Sequence, residues 1–248
     1  MKKSFLILAL AAILALPSFA EGPKTPIRDL PTADYLNLVR HPHGRESWAK
    51  LDGTLTHRRK GADDVESKIF MGILFTPERT LAQIVVDGGE AYRVGQGYDV
   101  SPDSTDVKML SKPKDGEKPL LSRIGLRAQD IAMSFLFWNA RLELPRDSAK
   151  GQDCRVFIFD SPDKTESVKA FISADACFPI RAEWMKNGEE KPYRTMEIDS
   201  IKHEGDFYLP GSLLLYGPGW KTKIEFDEIS AGYSKDGLPA DLFPEKKQ

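Results

Sequence analysis

The sequence predicts a mainly β protein, and two features of the chain support this prediction. Strand-like alternation of apolar and polar residues begins near Trp48 and returns throughout the C-terminal half. The connections between these segments are short turn signals, such as Asp-Gly-Gly-Glu at 87–90, Asn-Gly at 187–188 and Gly-Pro-Gly at 217–219. Because short connections join sequential antiparallel neighbours, we expect a meander that curls or packs on another layer.

The N-terminal residues have the three parts of a secretory signal. Lys2 and Lys3 precede an uncharged apolar run at 5–16, and Pro-Ser-Phe-Ala at 17–20 places small residues where signal peptidase needs them. The apolar run is shorter than the roughly 20 residues of a membrane span. We therefore expect a signal peptide over 1–20, cleaved after Ala20, and one mature domain over 21–248 in the periplasm or outside the cell.

The charge of the chain is mildly acidic and mixed. The formal net charge is −2, and removal of Lys2 and Lys3 with the signal peptide makes it −4. No basic stripe is present, so nucleic acid is not expected as a partner. We expect a monomer.

The two cysteines, Cys154 and Cys177, have two interpretations. In an exported chain an even number of cysteines favours a disulfide. The alternative is a pair of reduced, buried thiols. Two cysteines without a neighbouring histidine do not indicate a metal site.

Turn signals and periodicity divide the chain into a short N-terminal helix and many strands. The helix is predicted over 32–39, with Tyr35, Leu38 and Val39 on one face, and it ends before Pro42. The polar segment 102–119 is predicted to be a long surface loop. The predicted strands cover residues 51–58, 65–75, 82–86, 91–94, 154–161, 166–175, 179–186, 193–202, 207–217 and 221–230.

The segment 130–138 is the most apolar part of the mature chain. Asp130 is positioned to cap a helix whose side chains are apolar nearly all round. Such a helix is either a plug packed into a filled core or a helix that lines an apolar cavity. Both alternatives are compatible with a half-open barrel.

Some strands are apolar on both faces, including the segments at 69–71, 156–159 and 213–216. A sheet with water on one side does not require this pattern. We therefore expect helices on the concave face and a further layer, partner or ligand on the sheet.

Known catalytic motifs are missing from the sequence. There is no G-x-S-x-G, H-E-x-x-H or phosphate-binding glycine loop, and three S-x-x-K matches lack the S-D-N and K-T-G companions. His41 and His43 have no acidic or cysteine neighbours and are interpreted as surface histidines. We expect no cofactor, no bound metal and no enzymatic activity.

The order of the C-terminal motifs resembles the outer-membrane lipoprotein-sorting family, the LolA/LolB-like carriers, in its broad uncharacterised branch. The resemblance covers about half of the chain, from residue 124 to 243. The motifs that carry it are Asp-Ile at 130–131, GQDCRV at 151–156, PIRAE at 179–183, DSIKHEGDFYLP at 199–210, FDEI at 226–229 and LPADLF at 238–243.

The resemblance implies an unclosed antiparallel β-barrel, a half-barrel wrapped around a few helices, with an apolar interior that accepts acyl chains. It implies a role in outer-membrane lipoprotein sorting or lipid transport, with lipid or lipoprotein acyl chains as ligands and an envelope membrane protein as a further partner. In the best-known carriers an arginine near the cavity mouth helps to control opening. Arg155 and Arg181 are the candidates for this arginine because they lie on the corresponding strands.

The predicted cavity residues come from the apolar segment 130–138 and from three strands of the C-terminal half. Because a register slip of one residue reverses the faces of a strand, the choice of strand residues depends on which face is turned inward. The candidates are Ile131, Phe135, Leu136 and Trp138 from the segment, and Phe157, Phe159, Ile172 and Trp184 from the strands.

Two other functions stay open at this point. An interaction or sensor module of the cell envelope would have a filled core and an exposed apolar patch, with an edge strand or the segment 102–119 as the contact. An exported hydrolase without a recognisable motif would have a polar pocket in which catalytic groups converge. A carrier would have an apolar cavity.

Overall fold

The computed structural model describes residues 25–41, 46–87, 89–99, 105–111 and 117–244. The predicted signal peptide at 1–20, His43 and parts of the segment 102–119 lie outside these ranges.

Twelve strands form one antiparallel sheet. They are β1 (Ser47–Arg59), β2 (Val65–Phe75), β3 (Arg79–Val86), β4 (Glu90–Gly97), β5 (Thr105–Ser111), β6 (Asn139–Ala149), β7 (Gln152–Asp160), β8 (Glu166–Ser173), β9 (Pro179–Lys186), β10 (Arg194–Glu204), β11 (Phe207–Gly217) and β12 (Trp220–Tyr233). The spatial order is β5-β4-β3-β2-β1-β12-β11-β10-β9-β8-β7-β6.

This order joins two meanders into one surface. The strands β1–β5 and β6–β12 each run in sequence order, and they meet where β1 pairs with β12. Within the described residues β5 and β6 occupy opposite ends of the sheet and do not pair, so the sheet is unclosed. The predicted mainly β, antiparallel and unclosed architecture is confirmed.

The helices are short and pack on one face of the sheet. They are α1 (Thr32–Arg40), α2 (Leu120–Arg123) and α3 (Ala128–Ile131), with 3-10 turns at Ile27–Asp29, Ser134–Phe137 and Ser234–Asp236. Buried residues of the helices, among them Tyr35, Leu121 and Ile131, share one hydrophobic core with the inner side chains of the strands. This core fills most of the concave side.

Helix α1 is fastened to the sheet by Tyr35. Its ring stacks on Phe157 with centroids 5.9 Å apart, and its hydroxyl donates to the carbonyl of Ser173 at 2.8 Å. The predicted apolar face is partly wrong, since Leu36 is buried and Leu38 is exposed.

The continuous helix predicted over 130–138 is not formed. Helix α3 ends at Ile131, Met133 adopts a left-handed backbone with φ of 55°, and a 3-10 turn follows at Ser134–Phe137. Asp130 makes no capping hydrogen bond and forms ion pairs instead. A left-handed residue cannot continue a right-handed helix. The segment 128–137, here called the plug, therefore consists of two short turns, α3 and the 3-10 turn.

The predicted strands agree with the observed ones apart from their ends, and two strands were missed. β5 lies inside the segment predicted as a surface loop, and β6 precedes the first predicted strand of the C-terminal half. Both are edge strands with largely exposed side chains, so neither has the apolar face by which strands are recognised. β6 also contains Pro145, which is tolerated at a sheet edge.

One strand that is apolar on both faces, β7, is explained by a second, smaller cluster. Phe157 and Phe159 of β7 point into the main core, whereas Cys154 and Val156 pack with Phe171 on the opposite face. The convex face thus has a local apolar layer of its own.

The C-terminal segment after β12 packs against the sheet, as predicted. Leu242 is buried, and the Gln83 side-chain amide donates to the carbonyl of Pro244 at 2.8 Å. At the other end of the segment, the indole of Trp48 donates to the carbonyl of Gly237 at 3.1 Å.

In the described part of the chain, the helices are all too short or too polar to traverse a lipid bilayer.

Candidate functional site

An apolar cavity lies between the concave face of the sheet and the short helices. Its volume is about 170 Å³. Side chains from α1, from the strands β2–β4, from the 3-10 turn at 134–137 and from the start of β11 surround it, so both meanders contribute. The apolar lining includes Val39, Met71, Ile73, Ala82, Val94 and Phe137.

A groove at the surface adjoins this cavity. The two share Cys177, Phe178 and Tyr208 in their linings, so the groove lies directly outside the cavity. Its volume is about 360 Å³, and its further apolar walls are Leu38 and Ile201. The polar side chains of His41, Asp175 and Asp206 also line the groove. The cavity therefore has a route to solvent of mixed polarity between α1 and the β10–β11 hairpin.

Of the predicted cavity residues, Ile131 and Leu136 line the cavity. They come from the two ends of the broken plug, α3 and the 3-10 turn, which bend around Met133. The remaining six are buried in the main core without lining this cavity: Phe135, Trp138, Phe157, Phe159, Ile172 and Trp184.

The aromatic members of that set pack against one another. The rings of Phe135 and Trp184 meet edge to face at 5.3 Å, and those of Phe157 and Phe159 lie 6.0 Å apart. These side chains therefore belong to a filled core, which was one of the two alternatives predicted from the sequence.

Sequence analysis missed the lining from β2–β4, because the resemblance covered only the C-terminal half. The alternation of Met71 and Ile73 along β2 was the available signal.

Arg155, a candidate for the mouth arginine, fastens the N-terminal segment instead. Its guanidinium pairs with Glu143, with Nε–Oε1 at 2.7 Å and Nη2–Oε2 at 2.8 Å. Nη1 donates to the carbonyl of Leu30 at 2.7 Å, and the group lies 4.3 Å from the centroid of the Tyr35 ring. Arg155 is buried and does not line the cavity.

Arg181, the second candidate, lies on the opposite face of the sheet. It is paired across β8 and β9 with Phe171, a member of the convex cluster. Its Nη2 contacts Glu183 at 2.7 Å. Neither Arg155 nor Arg181 is therefore placed at the cavity.

Arg40, the last residue of α1, is the arginine that lines the cavity. Nε donates to the carbonyl of Leu136 at 2.9 Å and Nη2 to that of Trp138 at 3.2 Å, so the side chain ties α1 to the 3-10 turn. Burial lowers the pKa of Arg40. Sequence analysis missed it, although its position four residues after Leu36 places both on one helical face.

A buried ion-pair network holds α3 to the strands. Asp130 and Arg194 are 2 % and 4 % exposed, and their Oδ2 and Nη1 atoms lie 2.7 Å apart. Arg127 contacts Asp130 at 2.9 Å and Glu166 at 2.7 Å. The network fixes the first turn of the plug that lines the cavity.

The predicted disulfide is not formed, since Cys154 and Cys177 are both free thiols. Cys154 belongs to the convex cluster, whereas Cys177 packs against the main core beside the cavity. The two side chains thus lie in different apolar layers. Burial raises the pKa of both thiols.

The described residues contain no group of three or more histidine, cysteine, aspartate or glutamate side chains placed to hold a metal ion. His57 is buried, and its Nδ1 lies 2.7 Å from Oγ1 of Thr222. Burial lowers the pKa of His57, and the charge of Arg59 lowers it further.

Comparison with known proteins gives structural neighbours. No family model and no curated protein matches the sequence. A DUF1329 family protein from Desulfovibrio piger superposes with a TM-score of 0.60 at 12% identity, covering 85% of this chain and 95% of that one. A putative outer membrane lipoprotein-sorting protein domain from Vibrio parahaemolyticus gives 0.55 at 13% identity, with 83% and 92% covered.

A LolA superfamily protein from Nitrosomonas europaea gives a TM-score of 0.52 at 12% identity, with 87% of this chain and 99% of that one covered. These neighbours confirm the predicted LolA-like fold. They extend the resemblance from the C-terminal motifs to most of the chain.

Proposed function

We propose that this protein is an exported carrier that shields acyl chains of a lipid or lipoprotein in its cavity, as part of lipoprotein sorting or lipid transport. The observation that carries the proposal is the apolar cavity between the sheet, α1 and the broken plug. Its position inside a LolA-like fold supports the proposal. An apolar cavity also distinguishes a carrier from a hydrolase, for which a polar pocket is expected.

The size of the cavity indicates how much of a chain it holds. An engineered apolar cavity of about 150 Å³ stays dry and binds benzene. The cavity of about 170 Å³ therefore holds a short part of an acyl chain in this conformation. The apolar side chains of the adjoining groove, among them Leu38 and Ile201, provide contacts for the rest.

Binding a longer chain requires the cavity to widen, and Arg40 is placed to control this step. Its hydrogen bonds to Leu136 and Trp138 hold the 3-10 turn against α1. Release of these bonds frees the turn to move away from the sheet. Arg40 thereby fits the mouth arginine of the best-known carriers better than Arg155 or Arg181.

The free energy of binding comes from burial of methylene groups. Each buried CH₂ contributes about 0.8 kcal/mol, so burial of the chain alone gives a favourable free energy of binding. No enzymatic step and no cofactor are part of this function, and we propose that the protein acts as a monomer in the periplasm.

Native mass spectrometry of the mature protein, purified gently from the periplasm and paired with lipid extraction of the same sample, tests the proposal. We expect acyl-chain species at stoichiometric amounts. A mass equal to that of the bare chain, with no lipid in the extract, would contradict it.

An envelope interaction module is the second candidate, and β5 favours it. This edge strand exposes Val107, Met109 and Leu110, which are 40%, 38% and 44% accessible. Unpaired strand edges accept an extended segment of another protein. In the same mass-spectrometry experiment this function predicts a co-purifying polypeptide and no lipid.

A further inference from the structure

The cavity contains one side chain that is charged at neutral pH. Arg40 is the lone Asp, Glu, Lys or Arg among the described residues that line it. No carboxylate within the described residues forms an ion pair with Arg40, whose bonds go to two backbone carbonyls. Hydrogen bonds to the two carbonyls stabilise the guanidinium, but carbonyl groups carry no net charge. The net positive charge of Arg40 therefore remains beside the apolar walls.

Buried carboxylates near the cavity are already taken by other cations. Asp130 lies in α3, four residues before Ser134, yet it pairs with Arg194 and Arg127. Glu143 is bound by Arg155, with Nε and Oε1 2.7 Å apart. Neither of these two acids is free to pair with Arg40.

Ser134 provides a second, independent observation. Its side chain lines the cavity and is 1 % exposed, and its hydroxyl has no hydrogen-bond partner among the described residues. Buried polar groups are almost always hydrogen-bonded, so this hydroxyl has an unused hydrogen-bonding capacity in the cavity wall. Ser134 opens the same 3-10 turn whose carbonyl at Leu136 accepts from Arg40.

The donors that remain on these two side chains match an anion. Nη1 of Arg40 makes no hydrogen bond within the described residues, whereas Nε and Nη2 are occupied. A guanidinium N–H and a hydroxyl together suit a carboxylate or phosphate oxygen. Apolar walls strengthen such an ion pair, because they exclude the water that would screen it.

We propose that the ligand is an amphiphile with an anionic head group, whose carboxylate or phosphate binds Arg40 and Ser134 while its chain occupies the cavity. This inference rests on the proposed carrier function and deepens it by naming the head group. A fatty acid supplies the carboxylate, and a phosphate monoester of a lipid supplies the phosphate.

Isothermal titration calorimetry of the mature protein with octanoate, octyl phosphate and octan-1-ol tests the inference at equal chain length. We expect the anions to bind at least tenfold more tightly than the alcohol. Preference for octanoate over octyl phosphate would identify the carboxylate as the source, and the reverse preference would identify the phosphate.

The variant Arg40→Gln should reduce the affinity for the anions to that for octan-1-ol, while Arg40→Lys should retain part of the preference. Ser134→Ala should weaken octanoate binding several-fold without lowering the thermal midpoint, because the hydroxyl has no partner to lose. Arg58→Gln, which removes an exposed guanidinium paired with Asp64, is the matched control and should bind like the parent.

Equal affinity for the three probes in the parent protein would overturn the inference and leave the carrier function standing. An anion preference that survives in Arg40→Gln would overturn it as well. Binding of none of the probes would contradict the carrier function and, with it, the inference.

Discussion

Arg194 and Asp130 form the most deeply buried charged contact that the structure describes for the plug. Arg194 also lies over the Trp184 ring, 4.6 Å from its centroid. Burial lowers the pKa of Arg194, although Asp130 opposes the change. A contact of this kind stabilises only while both partners are present, since each charge alone has lost its water.

Removing one partner is therefore expected to cost far more than removing both. We expect Asp130→Leu to lower the free energy of unfolding by about 3–5 kcal/mol. The double variant Asp130→Leu with Arg194→Met should be much closer to the parent, as measured by urea unfolding. The exposed pair Arg141 and Asp160 is the control, for which Arg141→Gln should cost less than about 1 kcal/mol. A double variant as unstable as Asp130→Leu would contradict this account.

Glu143 gives the fold a pH dependence. Burial raises the pKa of its carboxyl, but hydrogen bonds from Arg155 and Thr32 outweigh burial and leave the pKa below its usual value. A carboxyl with a lowered folded-state pKa stabilises the fold above its unfolded-state pKa of about 4.3, and this contribution disappears as the pH falls through the folded-state value.

The free-energy difference between the parent and Glu143→Gln should be full at neutral pH and shrink as the pH falls below about 4.3. Denaturant unfolding at a series of pH values measures it, with Glu189→Gln in an exposed turn as the control. A free-energy difference that stays constant down to the acid limit of folding would show that the charged Glu143 carboxylate does not stabilise the fold through its contact with Arg155.

Residue-scale contacts were the least predictable from the sequence. Asp130 was expected to cap a helix and Arg155 to stand at the cavity mouth, because sequence position says nothing about which side chain approaches from a distant strand. Arg194 lies 64 positions after Asp130 in the chain, so no local pattern links them.

Elements were predicted well where turn chemistry sets their ends. β9 and β11 start and stop at the predicted residues, since Asn-Gly and Gly-Pro-Gly signals follow them. The plug was predicted as one helix because its composition is apolar throughout. Its break at Met133 has no sequence signal, as methionine ordinarily favours helix.

Gly53 is required where β1 bends against β12. The register between the two strands shifts between Asp52 and Gly53. A Cβ at Gly53 would lie 1.9 Å from the carbonyl oxygen of Glu225, a backbone atom that cannot move aside without breaking the pairing. The glycine thus permits the close approach that joins the two meanders.

Gly53→Ala is therefore expected to destabilise the protein by about 1–3 kcal/mol or more, the usual range for overpacking. Its matched control is Gly89→Ala, whose added Cβ would have its nearest neighbour at 3.8 Å. Thermal unfolding followed by circular dichroism compares the two. Equal thermal midpoints for Gly53→Ala and Gly89→Ala would contradict the requirement for glycine where β1 and β12 approach each other.

At the scale of the whole molecule, an open barrel with an apolar interior follows from the meander and its two-sided strands. The position of the cavity does not, because it depends on the curvature that brings β2–β4 opposite the β10–β11 hairpin. Six of the eight side chains predicted as cavity walls instead pack in the main core, and only Ile131 and Leu136 of that set line the cavity. Ala132 lies in the wall itself, between Ile131 and Met133.

The most direct test of the carrier function fills the cavity and leaves the fold intact. Equilibrium uptake of a fluorescent fatty acid would be measured for the parent, for Ala132→Phe in the cavity wall and for Ala62→Phe in an exposed turn. We predict saturable uptake by the parent, at least tenfold weaker uptake by Ala132→Phe, and unchanged uptake by Ala62→Phe. No uptake by the parent, or equal uptake by a folded Ala132→Phe protein, would contradict a carrier that holds acyl chains in this cavity.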